Sequence, residues 1–303
     1  MVHLTPPAPP SSSGRSRGPG PAGTLRVLGG ADAPALLRLC ERDPVANLFV
    51  SARLLGLVSR PGGDLGGAVW GWFEDGVLVS ACWAGANLVP VEATTAALDA
   101  FAAHARAQGR RCSSLVGPAE AVLALWQRLE PHWRGVREVR AHQPLMVCDT
   151  TPSVAPDPAV RRATLRELDL VVPACVAMFT EEIGYAPAPP DGGGAYRNRI
   201  AELVSTGRSF VRVDAGERGP EVVFKAELGA VSPKVVQVQG VWVPPHRRGE
   251  GLSEPGMAAV VEAARADGVD SVSLYVNDYN ARALAAYRRV GFREVGAFAT
   301  VLF

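Results

Sequence analysis

The chain has 303 residues, a length that fits about two domains or one large one. Hydrophobic residues make up 48% and charged residues 20%, enough apolar material for a real core. Thirty-one basic against thirty acidic residues leave a formal charge of +1, which argues against nucleic acid or a membrane surface as the main partner. Five cysteines are scattered without CxxC spacing, so neither a disulfide framework nor a metal site is expected, and a reducing cytoplasm is. No apolar run approaches the length of a membrane span, and the N-terminus lacks the pattern of a secretory leader.

Residues 1–23 carry six Pro, four Gly and four Ser. Such a segment cannot bury enough apolar surface to offset its ordering entropy, so a disordered tail is expected there. From Thr24 the pattern changes. Thr24–Leu28 reads as a strand, and Asp32 as the cap of one helical run reaching Leu57. Ala68–Phe73 and Val77–Trp83 read as a hairpin turning at Glu74-Asp75-Gly76. Thr94–Gln108 is an Ala-rich helix stopped by Gly109, followed by a strand at Ser113–Val116 and a helix at Ala119–Leu129.

Asp149–Pro158, with three prolines, is the expected domain boundary. Beyond it the cycle restarts. A strand is expected at Val160–Thr164 and helices at Asp169–Gly184 and Ala195–Thr206. Three strands follow at Ser209–Asp214, Glu221–Leu228 and Val235–Val243, the first two joined through Gly216–Gly219. Then come helix Pro255–Ala266, strand Ser271–Val276, helix Asn280–Val290 and strand Phe298–Phe303. The halves echo each other: Ala105-Arg106-Ala107 and Ala264-Arg265-Ala266 lie 159 residues apart, as do Leu115 and Leu274. We read this as an internal duplication, against a chance match between Ala-rich helices.

One stretch carries chemistry. The strand ending in Val241-Trp242-Val243 runs through Pro244-Pro245 into Arg248-Gly249-Glu250-Gly251-Leu252-Ser253 and a helix. Backbone N–H groups of a Gly-containing turn, joined by the free N–H groups and dipole of the helix start, make an anion cradle. Gly249 and Gly251 permit close approach of a phosphate, and Arg248 can add a charge-assisted contact. The competing reading is a plain surface loop. By strand alternation Gln237, Gln239, Val241 and Val243 share one face, with Val238, Gly240 and Trp242 on the other.

The stretch from Val235 to Ala266 resembles motif A of the GNAT superfamily of acyl-CoA-dependent N-acyltransferases. Arg248 and Gly251 match two fixed positions, and Ser253 departs mildly at the third. Asn277 to Phe292 looks like the closing motif of the same superfamily, an Asn-led helix with a Tyr ending in Gly-Phe. The likeness covers about 159–303, and the whole chain looks like an actinobacterial-type tandem GNAT protein with a degenerate first copy.

The resemblance implies an α+β fold of two tandem GNAT-like domains, each a mixed, mostly antiparallel sheet flanked by helices. Their expected bounds are 24–148 and 159–303, with 149–158 as linker. It implies acetyl-CoA as cosubstrate, wedged between splayed strands, with the pantetheine along the backbone of Val241 and Val243. The pyrophosphate would lie on Arg248, Gly249, Gly251, Leu252 and Ser253, with Asn280 touching the cofactor as well as capping its helix. Tyr287 would be the general acid, since a phenol with an ordinary pKa near 10 is protonated at neutral pH; the alternative is a core tyrosine.

The base stays open. A lysine-like ammonium is about 0.1% neutral near pH 7.4, a cost of roughly 4 kcal/mol. Relatives place a Glu on the strand before the loop, where this chain has Gln237 and Gln239. Glu227, Glu181, Glu182 and a water held by Gln239 are the alternatives, Glu227 also serving as a plain salt-bridge partner of Lys225. His246, Trp242 and the first-half tryptophans read as surface or core residues. The expected partner is a small-molecule or peptide amine, with no nucleic acid, no membrane and no metal; a homodimer is an open option. Two other functions stay open: a non-catalytic acyl-CoA-binding regulatory module, and a mycothiol-synthase-like aminosugar-conjugate acetyltransferase.

Overall fold

The computed structural model describes residues 23–59, 67–187, 194–217 and 219–303. The tail expected over 1–23 lies outside the described residues apart from Gly23, as does Arg218 in the turn at Gly216–Gly219. The first half runs β1 (Thr24–Val27), α1 (Ala33–Cys40), α2 (Leu48–Ser59), β2 (Gly67–Glu74), β3 (Val77–Gly85), β4 (Asn87–Val91), α3 (Thr95–Gln108), β5 (Ser114–Pro118), α4 (Ala119–Leu129) and β6 (Glu138–Cys148). The second runs β7 (Arg161–Arg162), α5 (Leu168–Ile183), α6 (Gly194–Ser205), β8 (Ser209–Gly216), β9 (Gly219–Val231), β10 (Val235–Trp242), α7 (Ser253–Ala266), β11 (Ser271–Tyr275), α8 (Ala281–Val290) and β12 (Arg293–Leu302).

The twelve strands of the described residues join one sheet in the order β1-β2-β3-β4-β5-β12-β6-β11-β10-β9-β8-β7. The order has a pseudo-twofold symmetry: each half lays down five strands from the outer edge toward the centre, and β12 and β6 cross between them. β12 therefore completes the first half, pairing with β5, while β6 completes the second, pairing with β11. Only β4–β5 and β10–β11 are parallel; every other neighbour is antiparallel. The duplicated segments thus occupy matching places, α3 and β5 in one half, α7 and β11 in the other.

Helices cover both faces. On one, α1 and α2 bury Leu36, Leu39, Val50 and Leu54 against Val69, Ala81 and Trp83, and α5 and α6 bury Val171, Cys175 and Ile200 against Val211 and Val222. On the other, α3 and α4 pack on Trp70, Cys82 and Leu115, and α7 and α8 on Phe224, Val238 and Leu274. Gly256 lets α7 approach the sheet: a Cβ there would stand 2.7 Å from the Phe224 ring. Leu48 of α2 is fully buried against Ala230 and Val235, which fixes a first-half helix onto second-half strands. No helix among the described residues is long and apolar enough to cross a membrane.

Two expectations need correction, and two strands went unanticipated. The single helix from Asp32 to Leu57 is two, because Pro44 cannot continue a helix and Asp43 Oδ1 accepts from the amides of Val45 and Ala46. Asp32 does not cap α1 by its side chain; it binds Arg26 and the Gly29 amide instead. The segment Ala84–Ala93 contains β4, and 138–148 form β6; neither strand was anticipated. Residues 149–158 hold no regular element, yet they are pinned: the Ser153 amide donates to Val290, the Asp157 amide to Pro255, and the Asp157 carboxylate accepts from Arg212 at 2.9 Å.

Candidate active site

β10 and β11 are paired only through Val235–Ser271, Val236–Val272 and Gln237–Ser273. Beyond that β10 continues on β9 and β11 on β6, so the strands part and leave a wedge. At its open end lie the loop and the start of α7. Gly249 and Gly251 have φ of +92° and +78°, the left-handed region that a Cβ disfavours. A Cβ at either would meet nothing within 4 Å, so the glycines serve the backbone turn and leave open space outside it. Leu252 is the N-cap of α7, with no side-chain cap, and Ser253 is the first helical residue. The first amides of α7 are thus not satisfied by a capping side chain.

Arg248 is not aimed at open space. Its Nη2 donates to Glu181 at 2.6 Å and its Nε to the Val243 carbonyl at 3.0 Å. Arg247 is likewise held by Glu250 at 2.8 Å and Asp214 at 3.3 Å. Both arginine side chains are thus bound within the protein, and what the loop leaves open is backbone.

The expected face of Val241 and Val243 is overturned. A bulge between Gln239 and Trp242, centred on Gly240 with φ +60°, shifts the alternation by one residue. Val241 and Val243 pack with the α7–α8 core, while Trp242 turns to the α5 side and donates from Nε1 to Glu181 at 3.3 Å. The Gly240 carbonyl is turned inward, accepting from Lys225 Nζ at 2.9 Å.

Tyr287 is buried in the α8 face beside Phe292, ring centroids 5.9 Å apart. Among the described residues nothing hydrogen-bonds its hydroxyl. Burial first, and the Glu182 carboxylate second, push its pKa up, so it stays a neutral phenol. Asn280 caps α8, its Oδ1 accepting from the Ala283 amide at 3.1 Å.

The candidate bases separate. Glu227 is buried; Oε1 stands 2.8 Å from Lys225 Nζ and accepts from the Cys175 thiol, while Oε2 faces the Gln239 amide at 3.5 Å. Gln239 is exposed and lies across Gly229, where a Cβ would clash with it. Glu181 is held below the usual carboxylate range by Arg248. Glu182 ends α5, and its charge reaches both Tyr287 and Tyr275. His246 is exposed and paired with Glu221 at 2.9 Å. Burial pushes the Cys175 thiol up to about 12.

Residues 188–292 match the acetyltransferase (GNAT) family, and residues 67–171 match a domain family described as of unknown function, DUF4081. Over 108 residues the chain is 31% identical to streptothricin acetyltransferase of Streptomyces lavendulae, covering 36% of this chain and 56% of that protein. The chain thus spans little more than half the length of that relative. Residues 188–292 are a GNAT acetyltransferase domain. The fold extends further. A GCN5-related N-acetyltransferase from Sphaerobacter thermophilus superposes with a TM-score of 0.60 at 17% identity, covering 92% of this chain and 94% of that one. A tandem GNAT protein from the clavulanic acid biosynthesis pathway gives 0.56 at 14% identity, covering 92% and 98%. At these identities the likeness concerns the fold.

The GNAT domain borrows residues that sequence reasoning missed. From β6, Arg140 donates to the Glu182 carbonyl at 3.1 Å, capping α5, and Gln143 donates to Asn277 Oδ1 at 2.8 Å, fixing the entry to α8. Gln143 accepts in turn from Thr300 of β12 at 2.6 Å. A cavity of about 1050 Å³ opens between the halves, lined by Gln237, Gln239 and Tyr275 of the GNAT domain, Phe298 of β12, and Phe49 and Arg53 of α2.

The first half splays its strands too, pairing β4 with β5 only at Asn87–Ser114 and Leu88–Leu115. Its helix start differs from that of the GNAT domain. Thr94 Oγ1 accepts from the Ala97 amide and closes the end of α3, and Glu92 precedes it with φ +48°. An occupied cap stands where α7 has none, and the Glu92 carboxylate accepts from Asn47.

Proposed function

We propose that the chain is an acyl-CoA-dependent N-acetyltransferase that moves acetyl from acetyl-CoA to an amine by direct attack. The observation that carries this is the uncapped start of α7 behind Gly249 and Gly251, set at the mouth of the β10–β11 wedge with Tyr287 buried alongside. Backbone amides of Gly249, Gly251, Leu252 and Ser253 would hold the pyrophosphate. The freed edge of β10 at Val241 and Val243 would hold the pantetheine arm. Asn280 would reach the cofactor from the α8 cap. The thioester supplies an activated acetyl group. Residues 24–148 would be a degenerate copy without a cradle, acting on the acceptor side; a cytoplasmic location fits the five free, buried thiols.

Tyr287 donates its phenolic proton to the sulfur as the C–S bond breaks. The burial that disfavours its phenolate acts equally on a thiolate expelled beside it, which keeps the transfer balanced. The amine's proton passes to Glu227 Oε2 through a water held by the Gln239 amide. The second candidate base is Glu182, in the last turn of α5, whose carbonyl accepts from Arg140.

The test is calorimetry with acetyl-CoA, wild type against Gly251→Asp, followed by an amine screen with thiol release as readout. A carboxylate in the cradle should abolish binding, whereas unchanged affinity sinks the reading. Tight acetyl-CoA binding with no acetylation of any amine would favour a regulatory module. Glu227→Gln and Glu182→Gln separate the bases: loss of the true one lowers kcat while acetyl-CoA affinity stays close to wild type.

A further inference from the structure

We infer that the cavity between the halves is the acceptor pocket and that Arg53 is its carboxylate subsite, so that the acceptor is an amine bearing a carboxylate. This rests on the acetyltransferase reading above and adds the substrate class.

Among the described residues four arginines line the cavity: Arg53, Arg162, Arg199 and Arg208. Arg199 pairs with Glu202 at 3.1 Å, Arg162 pairs with Asp267, and Arg208 also has a partner. Arg53 differs. Its guanidinium carbon lies 4.1 Å from the Phe49 ring centroid and 4.8 Å from that of Trp83. Those contacts fix its place and partly satisfy its charge. None of its N–H donors has an acceptor among the described residues, although a guanidinium offers five in a planar fork. That fork matches a carboxylate with two parallel hydrogen bonds. Arg53 is exposed, and no carboxylate among the described residues pairs with it, so an arriving anion meets a cation with no counter-charge of its own.

Gln239, with the Glu227–Lys225 ion pair behind it, and Tyr275 border the same space. The Gln239 carbonyl and the Tyr275 hydroxyl can accept from an ammonium while Arg53 takes a carboxylate. The placement of Arg53 is rigid, because α2 is anchored to β9 and β10 through Leu48 and Ala52. The first half, without a cradle of its own, thereby holds the residue that selects the acceptor.

The experiment uses the full chain and matched amines: β-alanine with ethylamine, γ-aminobutyrate with propylamine, and L-lysine with cadaverine. Acetyl-CoA binding is measured first; its absence overturns the acetyltransferase reading and this subsite with it, before any amine is added. Each amine is then titrated into the CoA-loaded protein by calorimetry and assayed for thiol release with acetyl-CoA. The expected result is at least a tenfold preference, in Kd or kcat/KM, for the carboxylate member of one pair or more. Arg53→Met, which keeps the stem over Phe49 and Trp83, should erase that preference while leaving acetyl-CoA affinity unchanged, and Arg53→Lys should restore part of it. Equal use within every pair overturns the subsite, as does a preference that survives Arg53→Met. Binding of acetyl-CoA with no amino acid of the panel bound or acetylated overturns it too, and leaves the acetyltransferase reading standing.

Discussion

Arg248 Nη2 lies 2.6 Å from Glu181 Oε2, a bond that ties the candidate phosphate loop to the C-terminal end of α5 across 67 residues of chain. Glu181 also accepts from Trp242, so one carboxylate joins the end of β10, the loop and α5. The arginine that the motif offers as an anion ligand is in this structure a latch. Glu181→Gln should therefore weaken acetyl-CoA binding in the same direction as Arg248→Ala, although Glu181 is itself negative. If Arg248 acted only by its charge on the phosphate, removing Glu181 would strengthen binding; calorimetry with acetyl-CoA decides. The sign with pH follows. The Glu181 pKa is lowered by Arg248, so the latch is intact above the usual carboxylate range and is lost as pH falls through the lowered value. Both residues are partly exposed, which keeps the stability effect small and the effect on loop position the larger one.

Tyr287→Phe should separate chemistry from packing. The ring stays beside Phe292 and the apolar core of α8 is unchanged. Unfolding temperature and acetyl-CoA affinity should stay close to wild type, while kcat falls by about 100-fold with an accepted amine, the usual size of a lost general acid. Equal turnover would remove Tyr287 from the mechanism. Because the raised pKa keeps the phenol neutral, no alkaline limb from Tyr287 should appear in the pH–rate profile below about pH 10.

The second half should not fold alone. Residues 159–303 lack β6, so β11 would expose the edge that pairs with Leu145–Cys148, and Asn277 would lose Gln143. We expect the fragment to show no cooperative unfolding by circular dichroism, and co-expression with residues 1–158 to restore it. In the full chain, Gln143→Leu should cost about 1–3 kcal/mol, because it strands the buried Thr300 hydroxyl and frees Asn277.

What the chain discloses of itself follows from where each signal lies. Gly249, Gly251, Tyr287 and Asn280 are local: each is set by its own turn or helix, and each stands where the loop and α8 were expected. β6 is not local. Pro144 sits in its middle, Arg140, His142 and Gln143 break its alternation, and its partners lie far away in sequence. Only the exchange of strands between halves makes it a strand. The bulge that turns Val241 and Val243 over had a signal, a glycine inside a strand run. The break between α1 and α2 had one too, in Asp43-Pro44. The Arg248–Glu181 latch had none, since α5 meets the loop only in three dimensions.

The buried pair Lys225–Glu227 offers the sharpest stability test. Lys225 is fully buried and Glu227 nearly so, with 2.8 Å between Nζ and Oε1. Two further contacts hold them: Lys225 donates to the Gly240 carbonyl at the bulge, and Cys175 donates to Glu227. Lys225→Met leaves Glu227 buried with only neutral donors, which should cost about 3–5 kcal/mol by denaturant unfolding. Lys225→Met with Glu227→Leu removes both charges and should recover most of that loss, since an apolar pair of similar volume replaces the ions without leaving either unpaired. Yet the double variant should lose turnover if Glu227 takes the amine's proton, and should lose the bulge geometry at Gly240 besides. Stability restored with activity absent would assign the pair to function; stability and activity restored together would reduce it to packing and pass the base to Glu182. The Cys175 thiol reports on the same pocket. With its pKa pushed up to about 12 by burial, roughly one thiol in 10,000 is ionised at pH 8, so iodoacetamide should leave the native protein unlabelled there. Lys225 is the charge that favours the thiolate, so Lys225→Met should leave Cys175 still less reactive, as read by peptide mass spectrometry.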